Sequence, residues 1–247
     1  MKHLYLIYHV PKTGGQTIRD HLNHTLKRDH DFIHMGKWDR SRPLSLTEIA
    51  DLSPVQKARL RSLSGHPVTR EFVSVFPERR CREVLFLREP AARLASHYNF
   101  RCTMLKNSGE STIPTFEEFL STHRQNAMTA QVAEKLHVPK SHIRLSDILA
   151  ELENLWMVGT LGSLDRLLPH LFDAIGVDPS VPPRSNVSGG TIERHVTLTP
   201  QLADEIRAKN PEDVMLYEAV LRFEQRTLER FGLAERQSSR REVLFAP

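Results

Sequence analysis

The sequence predicts an α/β protein: a P-loop-like parallel β-sheet flanked by helices, folded as a single domain. Three observations carry this. A short apolar run breaks at Pro11 and two glycines and gives way to an amphipathic stretch; the same strand-to-helix order recurs at Val84 to Tyr98; and 247 residues suffice to bury one large α/β core.

In the first unit, Leu4 to His9 has the near-continuous apolar character of a strand covered on both faces. Ile18, Leu22 and Leu26 then recur at four-residue spacing and predict a helix from Thr17 to about Lys27. The stretch SLTEIADLSPVQKARLRSL carries two helical signals, Ser45 or Thr47 near Glu48 as a start, and Val55, Leu60 and Leu63 as a later apolar set. HPVTREFVSVFP reads as extended. In the second unit Val84 to Leu87 is a buried strand, Pro90 stands at a favourable first helical position, and Ala91, Leu94, Ala95 and Tyr98 form an apolar helical face.

Further along, PTFEEFLST and NAMTAQVAEKL read as helices, LWMVGT as a strand, and SLDRLLPHLFDAIGV as a helix ended by Gly176. The last long helical region, from Pro200 to Gly232, is interrupted at Asn210-Pro211. Three stretches read as loops and candidate walls of a site: GKWDRSRP from Gly36, CTMLKNSGESTIP from Cys102, and GVDPSVPPRSNVSGG from Gly176. The domain is expected over 1–233, with 234–247 a mobile tail.

Composition narrows the function classes. With 39% hydrophobic and 26% charged residues the chain reads as a soluble globular protein, and a formal charge of +4 is too mild and too dispersed to argue for nucleic acid. Cys81 and Cys102 are too few for a disulfide framework and lack the spacing of a zinc or redox motif, so free thiols and no metal are expected. No membrane span is read, and the apolar start is too short for a signal segment, so a cytoplasmic location is expected.

The stretch HVPKTGGQT, from His9 to Thr17, carries the chemistry. Backbone amides of a tight loop at a helix N-terminus converge with the positive end of the helix dipole and stabilise a phosphate or sulfate group. Gly14 and Gly15 permit close approach, Lys12 adds a full charge, and the Thr13, Gln16 and Thr17 side chains offer hydrogen bonds. A Walker A loop places its lysine after the second glycine, whereas Lys12 precedes both; an ATP-dependent phosphotransferase is therefore the weaker reading.

HVPKTGGQTI resembles the 5′-phosphosulfate loop of sulfotransferases, in the branch that includes heparan sulfate 2-O-sulfotransferase and its bacterial relatives. LFLREPAARLASHY resembles the 3′-phosphate motif of the same family, an arginine at a strand end followed eight residues later by a serine; Arg88 and Ser96 fit that spacing. Order and a separation of about 75 residues suit the family. LSGHPVTREF, NAMTAQVA and MVGTLGSLDRLLPHLFDAIGV are similar to later segments, and PPRSNVSGG stands in the place of a third nucleotide-contacting loop.

The resemblance implies a sulfotransferase fold that takes 3′-phosphoadenosine 5′-phosphosulfate (PAPS) as donor, releases adenosine 3′,5′-bisphosphate (PAP), and needs no metal. It assigns Lys12 to catalysis and, with Thr13, Gly14, Gly15, Gln16 and Thr17, to the cradle, Arg88 and Ser96 to the 3′-phosphate, and Asn186 and Ser188 (with Arg184) to the nucleotide. It further implies His66, after Gly65, as general base toward an acceptor hydroxyl, a role for which a neutral imidazole is suited near neutral pH. Glu71 is the other candidate base, and His9 reads mainly as structural. Arg93 reads as a solvated or ion-paired helix residue, and Tyr98 as core. A carbohydrate acceptor is favoured, with a tyrosine, lipid or small natural product as alternatives; Lys37, Arg40, Arg42, Arg101 and Lys106 in the wall loops would suit an acidic one. The readings from other classes are a P-loop-like phosphotransferase and a nucleotide-binding protein without turnover.

Overall fold

A computed structural model describes residues 3–36, 44–139, 143–180 and 196–233. The chain runs β1 (Leu4–Tyr8), α1 (Gly15–Thr25), β2 (Phe32–His34), α2 (Leu46–Ala50), α3 (Pro54–Arg59), β3 (Ser62–Gly65), a 3-10 helix (Arg70–Val75) and β4 (Cys81–Leu87). It continues through α4 (Pro90–Asn107), α5 (Phe116–Thr122), α6 (Ala127–Lys135), α7 (Leu145–Leu152), β5 (Met157–Thr160), α8 (Leu164–Ile175), α9 (Pro200–Lys209) and α10 (Pro211–Arg230).

The five strands form one parallel sheet in the order β2-β3-β1-β4-β5. Side-chain alternation divides the core between its faces. Leu4, Leu6 and Tyr8 of β1 and Leu85 and Leu87 of β4 pack with α6, α7 and α10 through Met128, Val132, Ile148, Leu216 and Val220. Tyr5, Ile7, Val84 and Phe86 pack on the opposite face with α1 and α8, through Ile18, Leu22, Leu167, Leu171 and Phe172. The connection leaving β1 therefore crosses one face by way of α1, and the connection from β4 to β5 covers the other by way of α6 and α7. Neighbouring strands whose connections diverge to opposite faces open a crevice at their carboxyl ends. Here that crevice lies between β1 and β4.

Several sequence expectations shift. Phe72 and Val75 bury at a spacing of three, which is the period of the observed 3-10 helix and not of the extended strand expected over HPVTREFVSVFP. Cys102 is not a loop residue: Leu94, Tyr98 and Cys102 keep a four-residue spacing, pack against Phe116, Phe119 and Ile206, and carry α4 to Asn107. Leu63 belongs to β3, and Val55 is 59% exposed on α3, so the apolar set proposed there is not a helical face. The expected start at Ser45 holds, with Ser45–Glu48 forming a reciprocal cap, and α3 opens on a second one, Ser53–Gln56, beyond the starts expected from the sequence. Gly176 ends α8 in the left-handed region, and the break at Asn210-Pro211 separates α9 from α10. Segments 37–43 and 181–195, with Lys37, Arg40, Arg42, Arg184, Asn186 and Ser188, and the tail 234–247 lie outside the described residues.

Candidate functional site

The turn after β1 builds the site from the backbone up. Lys12 adopts φ +70°, a left-handed conformation that costs a non-glycine residue about 1–3 kcal/mol and persists only when its surroundings enforce it. Gly14 precedes α1 without a side-chain cap, so the first amides of the helix are not spent on a side chain of their own turn. A Cβ on Gly15 would stand 2.3 Å from the His9 ring, so only glycine lets that imidazole lie against the loop.

Not every side chain of the loop faces outward. Thr13 is buried and its hydroxyl donates to the Val10 carbonyl at 2.8 Å, bracing the turn from within. Gln16 donates to both carboxylate oxygens of Asp20, at 2.7 and 2.9 Å, one turn along α1. Thr17 is buried in the first turn, its amide donating to Gly14 O at 3.1 Å. The Thr13 and Gln16 side chains thus have internal partners, and the cradle's offer to an anion consists chiefly of backbone amides and Lys12.

Arg88 follows the last residue of β4, on the other lip of the crevice. Among the described residues neither Lys12 nor Arg88 forms a salt bridge or hydrogen bond. Loss of water pulls the Lys12 ammonium down to about 8, and the Arg88 charge adds to the fall. Desolvation likewise lowers Arg88, opposed by Glu89 and Tyr217. Glu89 is itself engaged, accepting from the Ala92 amide at 2.7 Å and pairing with Arg207 at 2.9 Å. Among the described residues, two cations thus stand with lowered proton affinity and no bonded anion, an arrangement suited to an anionic ligand. Lys12 Nζ rests 4.3 Å from the Phe100 ring centroid on α4, and half-buried Ser96 lies one helical turn before Phe100.

His66 follows β3, where Gly65 at φ +127° brings the backbone so close to Met35 that a Cβ would stand 2.5 Å from its carbonyl oxygen. The His66 Nδ1 lies 3.1 Å from the His9 carbonyl oxygen. A carbonyl only accepts, so Nδ1 carries the hydrogen and Nε2 keeps its lone pair. The main chain of His66 is held in turn by the Lys135 ammonium, which donates to the His66 carbonyl. Desolvation lowers the His66 proton affinity, the His9 carbonyl opposes the fall, and Lys135 adds to it; the residue nevertheless retains exposed surface. The result is a neutral imidazole with one fixed tautomer. The other candidate base, Glu71, is exposed on the 3-10 helix and pairs with His137 at 3.5 Å.

The structure thus brings Lys12, the glycines, Arg88, Ser96 and His66 to the carboxyl side of one sheet. Three contributors escape sequence reading: Phe100 beneath Lys12, Lys135 behind His66, and Tyr217, which stands near Thr160 and Arg88. Lys135 does leave a trace, because it follows Met128 and Val132 at helical spacing on the buried side of α6 and is itself 5% exposed. Arg93 is not solvated: it is 1% exposed, with Nη2 3.8 Å from Asp213 Oδ2, and so belongs to the interior. Tyr98 packs against Phe116 and Phe119 as expected of a core residue. Among the described residues no cluster of three or more His, Cys, Asp or Glu is placed to hold a metal, and no helix is long and apolar enough to cross a membrane. The chain matches no protein-family model and no curated protein.

Proposed function

We propose that this protein is a sulfotransferase that moves the sulfuryl group of PAPS to an acceptor hydroxyl, on a sulfotransferase-type fold. The observation that carries this reading is a pair of desolvated cations, Lys12 and Arg88, on the two lips of the β1–β4 crevice, without an ionic or hydrogen-bonded partner among the described residues, and with a base of fixed tautomer nearby. A nucleotide with phosphate at its 3′ position and phosphosulfate at its 5′ position offers one anion to each cation.

PAPS, when bound, supplies an activated sulfuryl group: the acceptor O–S bond forms as the S–O bond to the 5′-phosphate breaks, with PAP as leaving group. The chain's own residues orient and neutralise. The α1 amides and Lys12 hold the 5′ anion, and Lys12 balances charge that grows on the leaving oxygen. Arg88, with the Ser96 hydroxyl, holds the 3′-phosphate through the charge-matched fork of a guanidinium. His66 Nε2 takes the acceptor's proton, while Nδ1–H stays on the His9 carbonyl. A carbohydrate hydroxyl is the favoured acceptor.

Titration calorimetry tests the donor. PAP is expected to bind without magnesium and ATP to bind poorly; tight Mg-ATP binding with none of PAP overturns the reading in favour of a phosphotransferase. Transfer of labelled sulfate from PAPS to a panel of sugar, phenol and alcohol acceptors tests turnover, and PAP binding without transfer across the panel would leave a nucleotide-binding protein.

A further inference from the structure

The parallel sheet gathers three histidines along its carboxyl edge, and the mechanism above uses no ring among them but that of His66. His34 ends β2, His66 follows β3 and His9 follows β1, three neighbouring strands. The rings of His9 and His66 are stacked, with centroids 4.0 Å apart and planes inclined by 17°. The His9 ring also lies against the cradle, since a Cβ on Gly15 would stand 2.3 to 2.7 Å from its ring atoms. His9 also supplies the carbonyl that receives His66 Nδ1–H. A single residue therefore touches the anion loop with its ring, the base with the same ring, and the base's tautomer-setting nitrogen with its main chain.

We propose that His9 is a positioning residue for His66: its ring, in contact with both Gly15 and the base, orients the His66 imidazole beside the cradle and stabilises the positive charge that His66 acquires on taking up a proton. The inference rests on the sulfotransferase reading for the chemistry His66 performs, and on geometry alone for the coupling between the two rings.

The charge environment fits this division of labour. His9 is half-buried and faces His66, His34 on β2, Lys135 on α6 and Arg19 on α1; desolvation first, and then these cationic or protonatable groups, push its proton affinity well below that of a free imidazole. His66 faces His9 and Lys135. The exposed ring of the stack, His66, is the better placed of the two to take up a proton. A neutral aromatic face at 4.0 Å from an imidazolium is an attractive cation–π contact, whereas two imidazolium rings would repel. His34 is held apart from this exchange by its own partner, its Nδ1 lying 2.9 Å from Ser64 Oγ.

The test compares His9→Leu, which fills the space without a π face, with His9→Phe, which keeps one; both keep the main-chain carbonyl. Long-range 15N–1H correlation spectra, with His66 assigned through His66→Asn, read tautomer and titration directly. Wild-type His66 is expected as the Nδ1–H tautomer. In His9→Leu its titration is expected to move down by about half a unit or more, and in His9→Phe to return to within a few tenths of wild type. In the transfer assay, kcat is expected to fall about tenfold in His9→Leu with the KM for PAPS nearly unchanged, and His9→Phe to recover most of the loss. A wild-type Nε2–H tautomer overturns the inference, as does a His66 titration that is unmoved or raised in His9→Leu, or a Phe variant no better than Leu. Should His9→Leu not fold, the wild-type tautomer and the His9→Phe titration still decide it. The spectra need no donor or acceptor: expected titrations in a protein without transfer sink the sulfotransferase reading alone, and transfer with a His66 indifferent to position 9 sinks the positioning role alone.

Discussion

Arg88 and Arg93 stand five residues apart in one strand-to-helix unit and represent opposite uses of a desolvated cation, the first half-buried and the second buried. Arg93 points into the layer between α4, α6 and α10, where Asp213 meets it at 3.8 Å; Asp213 is in turn held by the Met128 amide at 3.2 Å, the Thr129 amide at 2.7 Å and the Thr129 hydroxyl at 2.8 Å. Burial lowers the Arg93 proton affinity and Asp213 restores part of it. At Arg88 burial also lowers the affinity, yet among the described residues nothing is bonded to the guanidinium, and across the crevice stands a second cation, Lys12, in the same condition. The interior arginine has a carboxylate facing it within the fold, although its Nε and Nη2 form no hydrogen bond, while the edge cations have no anion bonded to them among the described residues.

Substitutions that separate function from stability sharpen this contrast. The largest effect is expected from Lys12→Ala, with kcat for transfer reduced about 10³-fold or more, since the ammonium is assigned to charge that grows only as the bond breaks. Unchanged kinetics would remove Lys12 from the mechanism. On the interior side, Asp213→Ala strands the Arg93 charge and three donors, and is expected to cost about 3–5 kcal/mol in urea denaturation. A loss well under 1 kcal/mol would show that the two arginines are not opposites after all.

Arg88→Ala is expected to weaken PAP binding about 10- to 100-fold by calorimetry, in keeping with a charge-assisted contact of about 1.5–3 kcal/mol, and to leave the denaturation midpoint unchanged or slightly raised. A clear drop in stability would mean that Arg88 has a structural partner like that of Arg93. The smallest effect is a pH dependence at the edge. Lys12 titrates at about 8, so PAP affinity should hold below that pH and fall above it, approaching a tenfold loss per unit as the ammonium deprotonates. The same depression has the opposite sign for stability. Between about 8 and 10.5 the unfolded chain holds the proton that the folded chain has released, so this lysine makes stability rise with pH across that window. A flat PAP affinity from pH 7 to 10 would place Lys12 outside the donor site.

The two units that form the crevice were legible in the sequence because their signals are local. An apolar pentapeptide, a Pro-Lys-Thr-Gly-Gly turn and leucines spaced by four specify β1 and α1 within some twenty residues, and the same grammar specifies β4, Arg88 and α4. Gly65-His66 and Ser96 could be marked by their resemblance to a family pattern, without any indication of what they touch. The strands β2 and β3 were not legible: FIH and SLSG are too short for periodicity, and Ser62, Ser64 and His34 are polar. They become strands because β3 pairs with β1, and β2 with β3, in register. Hydrogen bonds between segments some fifty residues apart leave no local mark.

By itself, then, the sequence determined the parallel α/β plan, the anion loop and the residues that end its strands, because backbone conformation and amphipathic period are properties of neighbours. Tertiary structure alone decided which charges have partners. It paired Arg93 with Asp213, gave Lys12 and Arg88 no ionic partner among the described residues, turned Thr13 inward to Val10, and stacked His9 on His66 with Lys135 behind. Desolvation, pairing and tautomer depend on what the rest of the chain brings within a few ångströms, and that is fixed only when the sheet assembles.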